Sequence, residues 1–286
     1  MTTSRRPRGP IADWRPRPST RALIADVLAI LDEFRDYWPL SVRAVYYRLL
    51  GTGRYAKGAG LADRVSEHVS NARRAGVIEW EAIADSTAER LGSRSWSDER
   101  DWLDDARSWA EGFRLDRQDG QQQRLLVWCE AKGMAPMLSG AADEYGIDVL
   151  SGSGYDSTTI RHEVGESTWE LDVPLVVLHV GDLDPDGRAI YHAAAEDVIA
   201  WAEAGGGEAE FVRLAVTPKQ VAALDLPDDP THAGWVQAEA IAPDQMTALV
   251  REAIAARLDE DVFASMSAEE KRQRSRLLAA LDGRAL

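Results

Sequence analysis

The N-terminal third of the chain shows the hydrophobic periodicity of short helices. Between Thr20 and Trp38 the apolar residues recur at spacings of three and four, which predicts an amphipathic helix. A second helix is predicted over Ser41 to Leu50, because Ser41 is a favourable N-cap and the apolar residues again share one face. A third helix, over roughly Leu61 to Ala75, is predicted to end at Gly76.

A short strand is predicted to follow these helices, over Val77 to Trp80. Three short helices followed by a strand pair are the outline of a winged helix, whose third helix normally enters a groove of DNA. Residues 19–120 are therefore predicted to form a winged-helix DNA-binding domain, with a further helix near Asp98 to Phe113. Residues 1–18 hold five arginines, four prolines and little apolar surface, which predicts a flexible basic arm.

After the glutamine run at residues 121–123 the pattern changes to strands alternating with helices. The predicted strands are Arg124 to Cys129, Ile147 to Leu150, Leu175 to Val180 and Phe211 to Val216. Such alternation predicts an α/β domain with a mostly parallel, Rossmann-like sheet, here over residues 121–286 and ending in C-terminal helices. Two capping boxes, Thr217 with Gln220 and Ser267 with Glu270, predict helix starts.

Composition is typical of a soluble globular protein. Of the 286 residues, 45% are hydrophobic and 28% are charged. The apolar run from Val173 to Val180 is far shorter than the roughly 20 residues that span a bilayer, so no membrane segment is expected. A single cysteine, Cys129, excludes a disulfide framework and a cysteine-based zinc cluster. The expected location is the cytoplasm, in association with the nucleoid if the protein binds DNA.

The charge of the chain is unevenly distributed. The formal net charge is −15, but residues 1–120 hold 20 Lys and Arg against 19 Asp and Glu, so the acidity lies in the second half. The stretch from Ser41 to Gly76 is strongly basic, and a polyanion could dock there. The residues predicted to contact DNA are Arg48, Arg54, Lys57, Arg73, Arg74 and, in the second half, Lys132.

An acidic turn follows the predicted strand Leu175 to Val180. Its sequence is Gly181-Asp182-Leu183-Asp184-Pro185-Asp186-Gly187. Three carboxylates at alternate positions form a set of hard oxygen ligands suited to Mg²⁺. The first strand of the sheet ends before Glu130. Because the carboxyl ends of parallel strands meet at one edge of a sheet, Glu130 is expected beside Asp182 and Asp184.

Two other interpretations of the acidic turn fit less well. A Ca²⁺-binding EF-hand loop would need glutamate at position 193, which is alanine, and is therefore excluded. A phosphatase of the aspartyl-phosphate type also begins with two aspartates at a strand end. In such phosphatases a small hydroxyl residue occupies the position of Asp186, so this enzyme class is kept as a minor alternative.

Three motifs together resemble the Toprim domain of topoisomerases, primases and related nucleases. They are Glu130, Gly152-Ser153-Gly154 and Asp182-x-Asp184-Pro185-x-Gly187, each after an apolar strand. Ahead of them, the helix Ser41 to Tyr47 resembles the winged-helix motif that carries the nucleophilic tyrosine in the A subunit of topoisomerase VI and the related meiotic double-strand-break protein. Domain order and short length are similar to those of the stand-alone mini-A members of this family. The resemblance covers about Thr20 to Leu258.

The resemblance implies cleavage of duplex DNA by transesterification, the reaction of a type IIB topoisomerase. Tyr47 would attack a backbone phosphate and become linked to a 5′ end. Arg43, one helical turn away, would steady the phosphate. Helix geometry independently favours Tyr47 over Tyr46, because Tyr46 falls on the apolar face.

The same resemblance implies Mg²⁺ as the cofactor, with Mn²⁺ as a substitute. Glu130, Asp182 and Asp184 would hold the ion. Asp186 departs from the residue usually found there and would be a third ligand or lie just behind the ligands. A homodimer follows as well, since in this family the tyrosine of one subunit works with the metal site of another. Strand passage would require a separate ATPase subunit, because the chain offers no phosphate-cradling glycine loop.

Several points stay open at the level of sequence. If Tyr47 only packs the winged helix, the metal site would act on water, giving a hydrolytic Toprim nuclease. A third hypothesis is a non-cleaving DNA-binding protein of a mobile element. Lys132 either contacts phosphate or is solvated, and Glu239 either reaches the site or pairs with a surface arginine. His179 and His192 are predicted to pack, because a hard-oxygen Mg²⁺ site does not need imidazole.

Overall fold

The computed structural model describes residues 11–56, 59–84, 95–152, 158–229 and 231–283. Lys57 and the Ser153-Gly154 part of the Toprim-like motif lie outside these ranges. The helices are α1 (Pro18–Glu33), α2 (Val42–Gly51), α3 (Ala59–Arg74), α4 (Glu99–Glu111), α5 (Ala135–Asp143), α6 (Thr158–Glu166), α7 (Pro185–Ala204), α8 (Pro218–Leu224), α9 (Pro243–Ala255) and α10 (Glu260–Leu281). The strands are β1 (Leu40–Ser41), β2 (Ile83–Ala84), β3 (Arg124–Cys129), β4 (Val149–Ser151), β5 (Leu175–Val180) and β6 (Ala209–Ala215).

The three helices predicted in the N-terminal part are formed. α1 begins at Pro18, two residues before the predicted start. α2 begins after Ser41, whose hydroxyl oxygen accepts a hydrogen bond of 3.0 Å from the Ala44 amide and so caps the helix. α3 ends at Arg74, and Gly76 follows with a φ of 70°, a left-handed conformation that glycine adopts at little cost.

The strand predicted over Val77 to Trp80 is not formed. The amides of Val77 and Ile78 both donate to the carbonyl of Ala72, so these apolar residues close the C-terminus of α3. A short 3-10 helix, Trp80–Ala82, follows, and β2 then pairs in parallel with β1. The two short strands are therefore not an antiparallel hairpin of the kind that forms a wing. The fold is α/β, and this pairing does not confirm a winged helix.

The described part of the predicted N-terminal arm lies against the helices. The Ile11 amide donates to the carbonyl of Arg74 at 2.9 Å, which ties the segment to the end of α3. Trp14 packs against the hydrophobic core, and Arg17 is the N-cap residue of α1. Residues 11–17 thus form one wall of the helical region.

The second half contains a four-stranded parallel sheet with the strand order β4-β3-β5-β6. β3 and β5 have the predicted bounds, and β5 is buried along its whole length. Central parallel strands are covered on both faces and so appear in the sequence as continuous apolar runs, which is why their bounds are predictable. β4 and β6 lie within two residues of their predicted positions.

The two predicted capping boxes have different outcomes. At Thr217 the box is confirmed, because the hydroxyl accepts from the Gln220 amide at 3.3 Å and the Gln220 side chain accepts from the Thr217 amide at 2.8 Å. The box predicted at Ser267 and Glu270 is wrong. Both residues lie inside α10, which begins after its N-cap Asp259.

No helix in the described ranges is long and apolar enough to cross a membrane.

One hydrophobic core joins the N-terminal helices to the sheet. It takes buried side chains from α1, α2 and α3 and from β3, β5, α5 and α9. The two parts approach most tightly at Gly133, where a Cβ atom would lie 2.7 Å from the Cβ of Ser41. A larger residue at this position would push the start of α2 away from the loop after β3. The core and this contact therefore hold α2 against the carboxyl edge of the sheet.

Candidate active site at the carboxyl ends of the strands

Glu130 and Asp182 lie at the ends of two neighbouring strands, as predicted. β3 and β5 pair in register up to Cys129 and Val180, and the Glu130 amide donates to the Val180 carbonyl at 2.9 Å. The Glu130 side chain crosses over Gly181, where a Cβ atom would lie only 2.3 Å from Oε2 of Glu130. Glycine is therefore needed at position 181 for this carboxylate to sit in the turn.

The three aspartates of the acidic turn have different surroundings. Oδ1 of Asp182 accepts a hydrogen bond of 2.7 Å from the Ala238 amide, and burial raises the pKa of this carboxyl. Asp184 is the N-cap of α7, and its Oδ1 accepts from the Gly187 amide at 2.6 Å. Asp186 lies in the first turn of α7 and is exposed. The structure thus brings Asp182 close to Glu130, uses Asp184 as a helix cap and leaves Asp186 on the surface.

The chemistry of Glu130 and Asp182 fits a divalent cation. Within the described ranges no three His, Cys, Asp or Glu side chains form a preassembled metal-binding group. Oε2 of Glu130 is buried and has no hydrogen-bond partner among the described residues. Burial and, next, the charge of Asp182 raise the pKa of Glu130 to about 7. In proteins Mg²⁺ is commonly held by one or two carboxylates together with substrate phosphates and water, and this pair has the chemistry of such a partial ligand set.

Arg213 of β6 is a site residue that the sequence analysis missed. Its guanidinium donates to the carbonyls of Gly187 at 3.2 Å and Gly181 at 3.0 Å, and also to the carbonyl of Asp182. Its positive charge lowers the pKa of Glu130 and, less than that of Arg43, the pKa of Asp182. Arg213 therefore holds the acidic turn in place and offsets part of the repulsion between its carboxylates.

Two histidines near the turn pack against an aromatic ring. His179 of β5 is fully buried, and its ring makes an edge contact with Tyr191 at 5.1 Å between centroids. Burial lowers the pKa of His179 to about 3, so it is neutral. His192 makes a similar contact with Tyr191 at 5.4 Å.

Tyr47 is buried on α2, within electrostatic reach of Asp229 and Glu239. Tyr46 and Tyr47 are both almost fully buried, at 4% and 3% exposure, so the expected contrast between an apolar and a polar position is not observed. Their rings make an edge contact at 5.2 Å between centroids. Burial raises the pKa of the Tyr47 hydroxyl, and Asp229 and Glu239 raise it further, whereas Arg43 lowers it.

Arg43 links the tyrosine to the carboxylates. Its side chain is exposed, and its Nη1 donates to Oε1 of Gln237 at 2.7 Å, across the contact between α2 and the segment before α9. The positive charge of Arg43 lowers the pKa of Tyr47, of Asp182 and of Glu239. One guanidinium therefore acts electrostatically on all three groups within a single chain.

Glu239 is the second carboxylate facing Arg43. The sequence from Trp235 to Ala240 predicts a strand, but the structure forms only a single antiparallel bridge between Leu183 and Val236, and Glu239 lies in the 3-10 helix Ala238–Ala240. Its side chain is buried, and its Oε2 has no hydrogen-bond partner among the described residues. Burial raises its pKa to about 7. Of the two open alternatives, the structure thus favours a position at the site.

We expect the buried Glu239 to make the stability of the metal-free protein depend on pH. A carboxyl whose pKa rises from 4.5 unfolded to about 7 folded contributes stability that is fully present below pH 4.5 and is lost as the pH rises through 7. Glu239→Gln should reduce the difference in free energy of unfolding between about pH 5 and about pH 8 by up to about 3 kcal/mol.

Urea denaturation in EDTA at the two pH values measures this effect. Glu252→Gln, at an exposed position of α9, is the matched control and should keep the wild-type pH dependence. The expectation fails if Glu239→Gln retains the full pH dependence as well.

The described residues predicted to contact DNA differ in their exposure and in their partners within the protein. Arg48 donates to the carbonyl of Ala240, and Arg54 is exposed but pairs with Asp26 at 2.8 Å. Arg73 is buried, donates to the carbonyl of Trp80 at 2.9 Å and stacks on the Trp80 ring at 4.5 Å from its centroid, so its guanidinium supports the end of α3. The other two are Arg74, which is half-buried, and Lys132, which is exposed just after β3.

We call Tyr47, Arg43, Glu130, Asp182 and Glu239 the composite site. Its residues come from α2, from the ends of β3 and β5 and from the segment before α9. Comparison of the chain with protein-family models, curated proteins and solved structures gives no match. The function proposed for the composite site therefore rests on its chemistry.

Proposed function

We propose that this protein binds duplex DNA and cleaves it in a Mg²⁺-dependent transesterification, in the manner of the A subunit of topoisomerase VI. The observation that carries the proposal is the position of Arg43 on the helix of Tyr47. Its Nη1 donates to Gln237 at 2.7 Å, beside Glu239 and beside the Ala238 amide that donates to Asp182. Its charge accordingly acts on Tyr47, Asp182 and Glu239. A tyrosine, a cation and carboxylates at one place are the groups that phosphoryl transfer to a tyrosine requires. The proposal includes a winged helix followed by a Toprim domain.

The residues of the composite site divide the chemistry between them. Glu130 and Asp182 would hold Mg²⁺, which supplies charge neutralisation at the transferred phosphoryl group when bound. Arg43, exposed at the edge of α2, would bind a non-bridging phosphate oxygen. Its charge also favours the ionised form of Tyr47, opposing the effect of burial.

In the proposed step, Oη of Tyr47 forms an ester bond to a backbone phosphorus, and the bond from phosphorus to the 3′ oxygen breaks. The 3′ oxygen takes up a proton from solvent and leaves as a hydroxyl. The phosphate stays on the 5′ oxygen and links that end to Tyr47, and attack by the 3′ hydroxyl reverses the reaction. The proton of Tyr47 needs an acceptor, and Glu239 is suited to this role because its pKa of about 7 lies near neutral pH.

A homodimer is part of the proposal, because two copies would cut the two strands of a duplex. In each copy Tyr47 would work with the carboxylates of its own chain, which departs from the family, where the tyrosine works with the metal site of the other subunit. Mn²⁺ would replace Mg²⁺ at a site made of carboxylate oxygens. Passage of a second duplex would need a separate ATPase subunit. Without that partner, the protein would cut, reseal or hold DNA.

A hydrolytic Toprim nuclease is the second candidate function. It is favoured by the burial of Tyr47, which raises the pKa of its hydroxyl and limits the access of a DNA phosphate to it. In that case Glu130 and Asp182 would serve attack by water, and Tyr47 would only pack α2 against the sheet.

Cleavage of supercoiled plasmid separates these functions. The purified protein is incubated with plasmid and Mg²⁺ or Mn²⁺, quenched with detergent, and the DNA is run on a gel before and after protease treatment. Transesterification predicts cut DNA that carries protein until digestion. This product should disappear in Tyr47→Phe and in Asp182→Asn and persist in the neighbouring control Tyr46→Phe.

Other outcomes contradict the proposal. Free ends that survive Tyr47→Phe but disappear in Asp182→Asn would identify a hydrolytic nuclease. Binding of DNA without any cutting, with wild-type protein and either metal, would support a DNA-binding protein of a mobile element.

A further inference from the structure

A second candidate site lies at the opposite end of α1 from Tyr47. It is a cavity of about 720 Å³ between the segment before α1, the loop after α2 and one face of α3. Its volume falls within the range of roughly 300–1,000 Å³ that is usual for small-molecule and cofactor sites. We call it the α1–α3 cavity.

The α1–α3 cavity is lined by cationic side chains. Arg15, Arg17 and Arg64 line it, against a single acidic residue, Glu67. All three arginines are exposed, and Arg15 also pairs with Asp13 outside the cavity at 2.8 Å. Guanidinium groups bind phosphate oxygens in bidentate geometry, so these walls suit a phosphate.

The cavity beside Tyr47 has the opposite charge. It measures about 600 Å³ and is lined by Glu33, Asp225 and Asp244, with Arg48 as the cation. A phosphate would be repelled there unless another cation accompanied it. Of these two cavities, the α1–α3 cavity is therefore the one whose charge suits a bare phosphate group.

Aromatic rings form another part of the α1–α3 cavity. Trp14 and Tyr55 both line it and are half-buried. The Tyr55 hydroxyl donates to Oδ2 of Asp26 at 2.5 Å, and Arg54 pairs with the same carboxylate at 2.8 Å, which fixes the Tyr55 ring in the wall. Bases of single-stranded nucleic acids stack on such rings with little dependence on sequence.

Polar groups on α3 complete the lining. The His68 ring lies 3.3 Å from the Thr20 hydroxyl, measured from Nε2 to Oγ1, and Asn71 lies one turn further along the helix. These side chains offer donors and acceptors of the kind that bind the edge of a base. Arginines, aromatic rings and amide or imidazole groups together match the phosphate of a nucleotide and the face and edge of its base.

We propose that the α1–α3 cavity binds one unstacked nucleotide of a DNA single strand, its phosphate on Arg17 and Arg64 and its base against Trp14 and Tyr55. The inference rests on the proposed binding of DNA, and it adds a second site at which the protein binds a DNA strand. Thr20 lines this cavity and Ile30 lines the cavity beside Tyr47. Ten residues of α-helix span about 15 Å, so the two cavities lie at roughly that separation along α1.

Binding of a fluorescein-labelled oligo(dT) of about 12 nucleotides to the full chain tests this inference. Anisotropy is measured in EDTA, so that cleavage plays no part. We expect Trp14→Ala and Arg64→Ala each to weaken binding about tenfold, and to weaken binding of a duplex of the same length less. The matched controls are Trp102→Ala and Arg100→Ala, at exposed positions of α4, which should bind as wild type.

The outcomes separate this inference from the proposed cleavage. Unchanged oligo(dT) affinity in Trp14→Ala and Arg64→Ala, with controls that bind normally, overturns the inference and leaves the cleavage proposal standing. Weakened binding in these variants, in a protein that never cuts plasmid, supports the inference and contradicts the cleavage proposal. Failure of the wild type to bind oligo(dT) overturns the inference. Competition by free dTMP at the same concentration as oligo(dT) would overturn it in favour of a free nucleotide.

Discussion

Arg213→Ala is expected to lower the free energy of unfolding by about 3–5 kcal/mol, because three hydrogen bonds from one charged donor are lost together. The guanidinium donates to three carbonyls of the acidic turn, at Gly181, Asp182 and Gly187, and these would lose their partner. Its charge also favours the ionised forms of Glu130 and Asp182, and this compensating attraction would be lost. The loss of these hydrogen bonds and the loss of the positive charge would both destabilise the folded protein.

Urea denaturation at neutral pH in EDTA measures the effect. Arg213→Lys keeps the charge but cannot span the three carbonyls, so its stability should lie between those of wild type and Arg213→Ala. Arg188→Ala removes an exposed arginine from α7 and serves as the control. If Arg213→Ala unfolds within about 1 kcal/mol of the wild type, Arg213 does not hold the turn.

The second large effect is expected at Glu270, in the middle of α10. Its carboxylate is almost fully buried and accepts hydrogen bonds from Arg117, with Oε1 to Nη2 at 2.7 Å and Oε2 to Nε at 3.0 Å, and also from Arg274. The Leu115 amide donates to the same group at 3.2 Å. Glu270→Ala would leave two arginines facing each other without the carboxylate, so we expect a loss of about 3–5 kcal/mol.

The neighbouring Glu269 provides a matched control. It pairs with Arg272 at the helix surface, and Glu269→Ala should change stability very little. Arg117 holds the pKa of Glu270 below its ordinary value of 4.5, so its contribution is present above that pH and is lost as the pH falls through the lowered pKa. Thermal unfolding of both variants at neutral and acidic pH tests this. Equal stabilities for Glu269→Ala and Glu270→Ala would show that the buried network is not stabilising.

The bounds of a strand could be predicted from the sequence where one hydrophobic pattern runs along the whole strand. β3 and β5 are buried on both faces, and their continuous apolar runs fix their bounds to the residue. α6 was missed, because its sequence carries only Ile160 and Val164 as large apolar residues and has little helical periodicity. Val77 to Trp80 has the composition of a strand, but the preceding helix uses these residues to close its own end, which a short window cannot show.

Long-range partners explain the other differences. Ser267 and Glu270 have the spacing of a capping box, yet the partner that decides the role of Glu270 is Arg117, 153 residues earlier in the chain. Arg73 has the charge of a DNA contact, but it turns back onto Trp80. In both cases the residue type was compatible with two roles, and only the three-dimensional neighbours distinguish them.

Around the composite site, the sequence predicted the carboxylates that directly follow strands. It missed Arg213, whose role depends on its neighbours in the folded chain. Glu130 and Asp182 follow apolar strands, so the topology of a parallel sheet brings them together. Arg213 lies within a strand, opposite His179 on β5. A charged residue between Val212 and Leu214 was the available indication that this strand serves a polar site.

The shared core has a consequence for how such a chain can change through evolution. Because α2 and the sheet bury the same apolar surface, and Gly133 touches Ser41, the N-terminal helices cannot be exchanged for another DNA-binding module without uncovering that surface. A new side chain on this face of α2 would require a compensating change after β3 or around residues 237–242. The two halves of the chain would therefore be inherited as one unit, and their contact residues would vary together across descendants.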